Sequence, residues 1–127
     1  MFDTWSGDGP EPIGLLLVPE FSMMAFMAAI EPLRVANRLS GQKLFVWHAL
    51  SIDGEPVTAS NGMAMVVDAP LDSAPPLSSL IVCSSFNPQK AETKTLLGAL
   101  RKIARKGLPI GALDTGTHIL AKAGLIE

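Results

Sequence analysis

Pro109-Ile110-Gly111-Ala112-Leu113-Asp114-Thr115-Gly116-Thr117-His118-Ile119-Leu120-Ala121-Lys122-Ala123-Gly124 is the stretch whose reading decides the fold. Its apolar first half, bounded by Gly107 and Pro109, predicts a buried strand, and Ile119, Leu120 and Ala123 then recur at the spacing of a helix's inner face. Strand turns into helix at Asp114. So tight a corner pushes the apex side chain out of the sheet and requires small residues two before and two after it, a need that Ala112 and Gly116 meet. This is the geometry of a nucleophile elbow, with the backbone N–H groups of the following helix available to hold negative charge. The apex residue, however, is Asp rather than Ser or Cys.

Upstream of the elbow, Leu80-Ile81-Val82-Cys83 reads as a second buried strand running into Ser84-Ser85-Phe86-Asn87-Pro88. Small residues at a strand's carboxyl end let a ligand approach the backbone, which makes Ser84 and Ser85 candidate pocket contacts. Cys83, inside the strand, reads as an inert thiol. Pro88 to Lys106 predicts one long amphipathic helix with Leu96, Leu97, Leu100, Ile103 and Ala104 inward. Its basic residues gather before Gly107, where they complement the helix dipole and need no nucleic acid to explain them.

The first half of the chain fits the same layered plan. Ile13 to Val18 lacks polar alternation, as expected of a strand covered on both faces. Pro19-Glu20-Phe21 follows as a loop, and Ser22 caps a helix to about Leu39 in which Pro32 predicts a kink or break near Glu31. Met23, Met24 and Met27 on that helix fit core, an interface or a surface that moulds to a ligand. Leu44 to Ile52 is the next strand, with His48 as a packed residue. Val57-Thr58 and Met63 to Val67 flank Asn61-Gly62 as a small hairpin, and Asp68 to Ser78 reads as irregular. Residues 1–12 read as a flexible tail from which Phe2 or Trp5 is free to dock. The order of elements implies a single α/β domain over 13–127, with a mainly parallel sheet flanked by helices.

Composition narrows the function. With 127 residues, 48% of them hydrophobic, the chain is long enough for one folded core. Ten basic against twelve acidic residues give a net charge of −2, so this segment has no electrostatic grip on nucleic acid or an anionic membrane. One cysteine excludes an internal disulfide, no apolar run reaches the roughly 20 residues of a membrane span, and Asp3 and Asp8 stand where a signal peptide carries basic charge. A cytoplasmic protein without a metal site or cofactor is expected.

Three roles are open to Asp114. It caps the following helix; or its carboxylate attacks carbon as a nucleophile, with His118 four residues on as the only nearby base; or it recognises a cationic or amine ligand, with Phe21 and Phe86 supplying apolar contact.

The run from Gly111 to Leu125 resembles the elbow and helix of the DJ-1/PfpI superfamily, specifically the class I glutamine-amidotransferase-like sensor domain of AraC-family transcription regulators of the GlxA type. Phe21 through Phe26 and Glu31-Pro32-Leu33-Arg34 through Gly41 resemble that family's first helix, internal proline included. Asp53-Gly54, Val57 and Ala59 through Gly62 resemble the segment before its irregular connection. The resemblance implies a flavodoxin-like, DJ-1-like fold. Enzymes of the superfamily carry Cys at the elbow and Glu near the end of the first strand; here Asp114 takes the first position and Ser22 or Met23 falls near the second, which implies a ligand sensor and not an enzyme. Ser84-Ser85 replaces the Gly-Gly of relatives and reshapes the pocket. The implied ligand-binding residues are Phe21, Ser22, Ser84, Ser85, Phe86, Asp114, Thr115 and His118. The implied effector is a small amine or amino-acid derivative, of the kind of betaine, carnitine or arginine. Because the family's domain continues beyond the elbow helix into further sheet and a double helix-turn-helix region, the fold is expected to be truncated here. DNA contact would then belong to a C-terminal domain absent from this chain, and an open sheet edge near Pro109 would favour a homodimer. A purely structural dimerisation module is the remaining alternative.

Overall fold

A computed structural model describes residues 7–126. Ten regular elements follow one another: β1 Glu11–Leu17, α1 Met23–Ser40, β2 Phe45–Ser51, β3 Val57–Thr58, β4 Ala64–Met65, β5 Ala69–Pro70, β6 Ser79–Ser84, α2 Lys94–Arg105, β7 Ile110–Asp114 and α3 Gly116–Lys122. Five strands form one sheet in the order β5-β2-β1-β6-β7, with every pairing parallel. β3 and β4 pair as an antiparallel hairpin outside it, turning at Gly62. Changing direction on either side of β1, as this order does, creates a crevice at the carboxyl ends of β1 and β6.

The central strands are apolar throughout because both faces are covered. Leu16, Leu50, Leu80 and Val82 point to one face, where Leu96, Leu97 and Leu100 of α2 and Ile119 and Leu120 of α3 close the core. Leu15, Leu17 and Cys83 point to the other, against Phe21, Phe26, Val57 and Ala59. The alternation of Leu15, Leu16 and Leu17 between two cores is the period of 2 read directly in space.

Four expectations need correction. β1 starts at Glu11 rather than Ile13, since Glu11 and Pro12 pair with Phe45 and Val46; the Phe2 and Trp5 docking idea lies outside the described residues. α1 runs unbroken through Pro32: Pro32 and Ala28, whose carbonyl loses its helical partner, are both exposed, so the missing bond falls on the solvent side of the helix. The expected long helix is split into a 3₁₀ turn, Pro88–Ala91, and α2, because Thr93 intervenes as N-cap and its Oγ1 accepts the Leu96 N–H at 3.1 Å. The segment expected to be irregular contains β5, a two-residue edge strand on Leu50 and Ser51, where a proline costs no ladder bond. Thr93→Ala is expected to cost about 1 kcal/mol of stability, as loss of a capping hydroxyl does, measurable by urea unfolding.

Candidate functional site

The elbow forms as its small residues dictate. A Cβ built on Gly116 would lie 2.3 Å from the Val82 carbonyl oxygen and 3.1 Å from Ala112 Cβ, so α3 leaves the sheet closer to β6 than any other residue would allow. Asp114 ends β7 level with Ser84, in the left-handed region at φ 54°. Among the described residues two other non-glycine residues share that region, Glu20 (φ 68°) after β1 and Asn87 (φ 52°) after β6. All three sit at or just beyond the carboxyl ends of adjacent strands, where backbone strain tends to gather at functional sites.

Capping does not occupy Asp114. The N-cap of α3 is Thr115, without a side-chain cap bond, and Asp114 presents its carbonyl, not its carboxylate, to Thr117 Oγ1 at 3.2 Å. The elbow holds Asp114 at positive φ, away from the negative φ at which a cap's side chain reaches back to the first turn. Among the described residues no hydrogen bond or ion pair ends on the Asp114 carboxylate, which is exposed.

Around it the expected residues divide. Thr115 Oγ1 donates to the Ser85 carbonyl and lies 3.2 Å from Ser84 Oγ, which ties the elbow to the loop after β6. Ser84 is buried, and Phe86 on the same loop is 66% exposed. His118 Nδ1 pairs with Glu92 Oε1 at 2.5 Å, which fastens α3 to the turn before α2. Phe21 is placed elsewhere: fully buried, its ring packs edge-on against Phe26 at 5.9 Å between centroids. Ser22 Oγ is spent on capping α1, accepting the Ala25 N–H at 3.1 Å. Burial alone pushes the Cys83 thiol up to about 12, so it stays protonated and inert.

Sequence reasoning passed over Glu20, Asn87 and Lys90. Asn87 Nδ2 donates to Glu20 Oε2 at 3.0 Å and Lys90 Nζ stands 3.7 Å from the same oxygen, a latch across the crevice between the β1 and β6 loops. Nothing local marks these residues; only the parallel pairing of β1 with β6 brings them together. Beside the latch a cavity of about 340 Å³ opens over the ends of β1 and β2, lined by Val18, Ser51, Asp53, Val57, Lys90 and Thr93 among others. None of the residues expected from the sequence lines it. No helix among the described residues is long and apolar enough to cross a membrane.

A parallel sheet ending in an elbow over a switch-point crevice defines a DJ-1/PfpI-like domain. The DJ-1 superfamily protein Atu0886 from Agrobacterium tumefaciens shares this fold, with a TM-score of 0.70 at 19% identity over 91% of this chain and 59% of that one. An AraC family transcriptional regulator from Pseudomonas putida superimposes with a TM-score of 0.79 at 31% identity, covering 91% of this chain and 71% of its own. The chain belongs to the AraC family of transcriptional regulators. Among curated relatives, the HTH-type transcriptional regulator CdhR of Pseudomonas aeruginosa is 47% identical over 112 residues, 88% of this chain and 33% of CdhR. GbdR, an HTH-type transcriptional regulator from the same organism, is 42% identical over 118 residues, 93% of this chain and 32% of GbdR. The chain thus spans about a third of the length of these relatives. No family model matches the sequence.

Proposed function

We propose that this chain is the effector-sensing module of a transcriptional regulator, that it works as a homodimer, and that DNA is contacted through a separate helix-turn-helix domain. Its effector is a small amine or amino-acid derivative, recognised at the elbow by Asp114 with Thr115, Ser84, Ser85, Phe86 and His118 around it. The observation that carries this reading is the Asp114 carboxylate, projected at a strained apex with no partner of its own among the described residues. A carboxylate held ready in this way gains a cation without first losing another contact. Phe86 offers that cation an aromatic face. Phe21 and Ser22 act behind the site, as core and cap, not as ligand contacts.

The relatives' names support regulation and not catalysis. A covalent mechanism through Asp114 has no base in contact with it: among the described residues the His118 ring is paired with Glu92, and no imidazole is hydrogen-bonded to the Asp114 carboxylate. Calorimetry of the intact regulator against primary and quaternary amines tests the proposal. Asp114→Asn preserves shape and tolerates the positive φ, and it should weaken the best-binding amine at least tenfold, about 1.4 kcal/mol. Unchanged affinity would remove Asp114 from recognition. A covalent mass increase on Asp114 would instead restore the nucleophile.

A further inference from the structure

The cavity over the ends of β1 and β2 has an apolar wall and a charged rim. Leu16, Val18 and Leu96 of one core and Val57 of the other make its inner wall, and all four are buried. Ile52, 37% exposed, carries apolar surface out to the mouth. At about 340 Å³ the space stands at the small end of ligand pockets, which run from roughly 300 to 1,000 Å³, so it fits a compact molecule.

The polar lining decides what kind of molecule. Two of its groups are already bonded within the fold: Ser51 Oγ donates to the Glu55 carbonyl at 2.9 Å, and Thr93 Oγ1 accepts the Leu96 N–H at 3.1 Å. Asp53 engages only Oδ1, which accepts the Glu55 N–H at 3.0 Å; this fixes the carboxylate in its turn and leaves Oδ2 without a hydrogen bond among the described residues. Lys90 Nζ stands 3.7 Å from Glu20 Oε2, beyond hydrogen-bond reach, and that oxygen already accepts from Asn87. With side chains 69% and 37% exposed, this ion pair contributes little, and the ammonium can turn to a ligand at small cost. One acceptor and one donor of opposite charge are therefore open at the rim. Opposite charges on one wall cancel toward a net cation or anion and add toward a molecule that carries both. An apolar body with a carboxylate for Lys90 and an ammonium for Asp53 is an apolar amino acid.

We infer that this cavity is a second small-molecule site, for a compact apolar amino acid held at the rim by Lys90 and Asp53. None of the elbow residues lines it, so the inference is independent of the effector proposed there. Calorimetry of the intact regulator with L-valine, L-leucine and L-methionine should show saturable one-to-one binding for at least one of them. The best binder's deaminated acid and its decarboxylated amine should each bind about tenfold weaker or worse, since one rim charge is then left without its partner. Lys90→Met and Asp53→Asn should each weaken the amino acid by a similar factor. Both side chains are exposed, and Asn keeps the acceptor that the Glu55 N–H needs, so both variants should melt like the wild type. Absence of saturable binding, or binding that survives both substitutions, overturns the site. An acid or amine analogue that binds as tightly as the amino acid overturns the dipolar ligand. Binding lost in Asp114→Asn but kept in Lys90→Met places the amino acid at the elbow, which overturns this cavity and leaves the elbow reading standing.

Discussion

Gly116→Ala is expected to lower the unfolding free energy by about 3 kcal/mol, at the upper end of the cost of overpacking a well-packed interior. The added methyl would meet the Val82 carbonyl at 2.3 Å, far inside contact distance, and a carbonyl held in the β1–β6–β7 ladder cannot turn away as a side chain would. Relief requires α3 to move off the sheet, which opens the core at Ile119 and Leu120 and displaces Asp114. For a domain of this size the thermal midpoint should fall by about 10 °C. Gly98→Ala is the control: in mid-α2, with nothing within 4 Å of the new methyl, it should gain up to about 0.8 kcal/mol from helix propensity. If differential scanning calorimetry shows both alanines tolerated alike, the close approach at the elbow is wrong.

Leu100→Ala should cost about 3 kcal/mol for a different reason. Leu100 is fully buried on α2, in the cluster that joins Leu16, Leu80 and Val82 of the sheet to Ile119 and Leu120 of α3. Truncating it loses the transfer free energy of the removed atoms and leaves a cavity, because three rigid elements surround the site and none can collapse into it alone. Urea unfolding should show the midpoint shifted with an unchanged slope, the mark of a stability change without altered compactness. A loss below 1 kcal/mol would mean that α2 does not seat against the sheet as described.

The two losses have different functional consequences. Gly116 sets the position of the Asp114 carboxylate directly, so its replacement should weaken effector binding beyond what lost stability explains. Leu100 is a core residue outside the proposed set of effector contacts, and its truncation should leave the affinity of the folded fraction unchanged.

Much of this was legible in the residues. The unbroken Leu15-Leu16-Leu17 and Leu80-Ile81-Val82 runs announced strands covered on both faces, since only burial on two sides removes the need for alternation. Ala112 and Gly116 announced the elbow, since no larger side chain permits that corner. The family resemblance, carried by the Asp114-Thr115-Gly116 run, agrees with the relatives found. Local boundaries were less readable where two signals compete. The Pro88 start of a helix and the Thr93 cap are both good starts, and packing of Leu96 and Leu97 on the sheet chose the second. Pro32 stands within an unbroken helix with its lost hydrogen bond on the exposed side, and periodicity alone does not say which face meets water.

What the chain determined by itself is the order of the main strands and helices and the apex residue, because these follow from spacing, caps and steric limits within a few residues. What only the tertiary structure decided is which side chains share a space. Phe21 left the candidate pocket for the core because the hairpin β3–β4 brings Val57 and Ala59 over it. Glu20 and Asn87, 67 positions apart, became partners because β1 and β6 run parallel side by side. Such contacts depend on how strands pair across long stretches of chain, and no local pattern encodes that pairing.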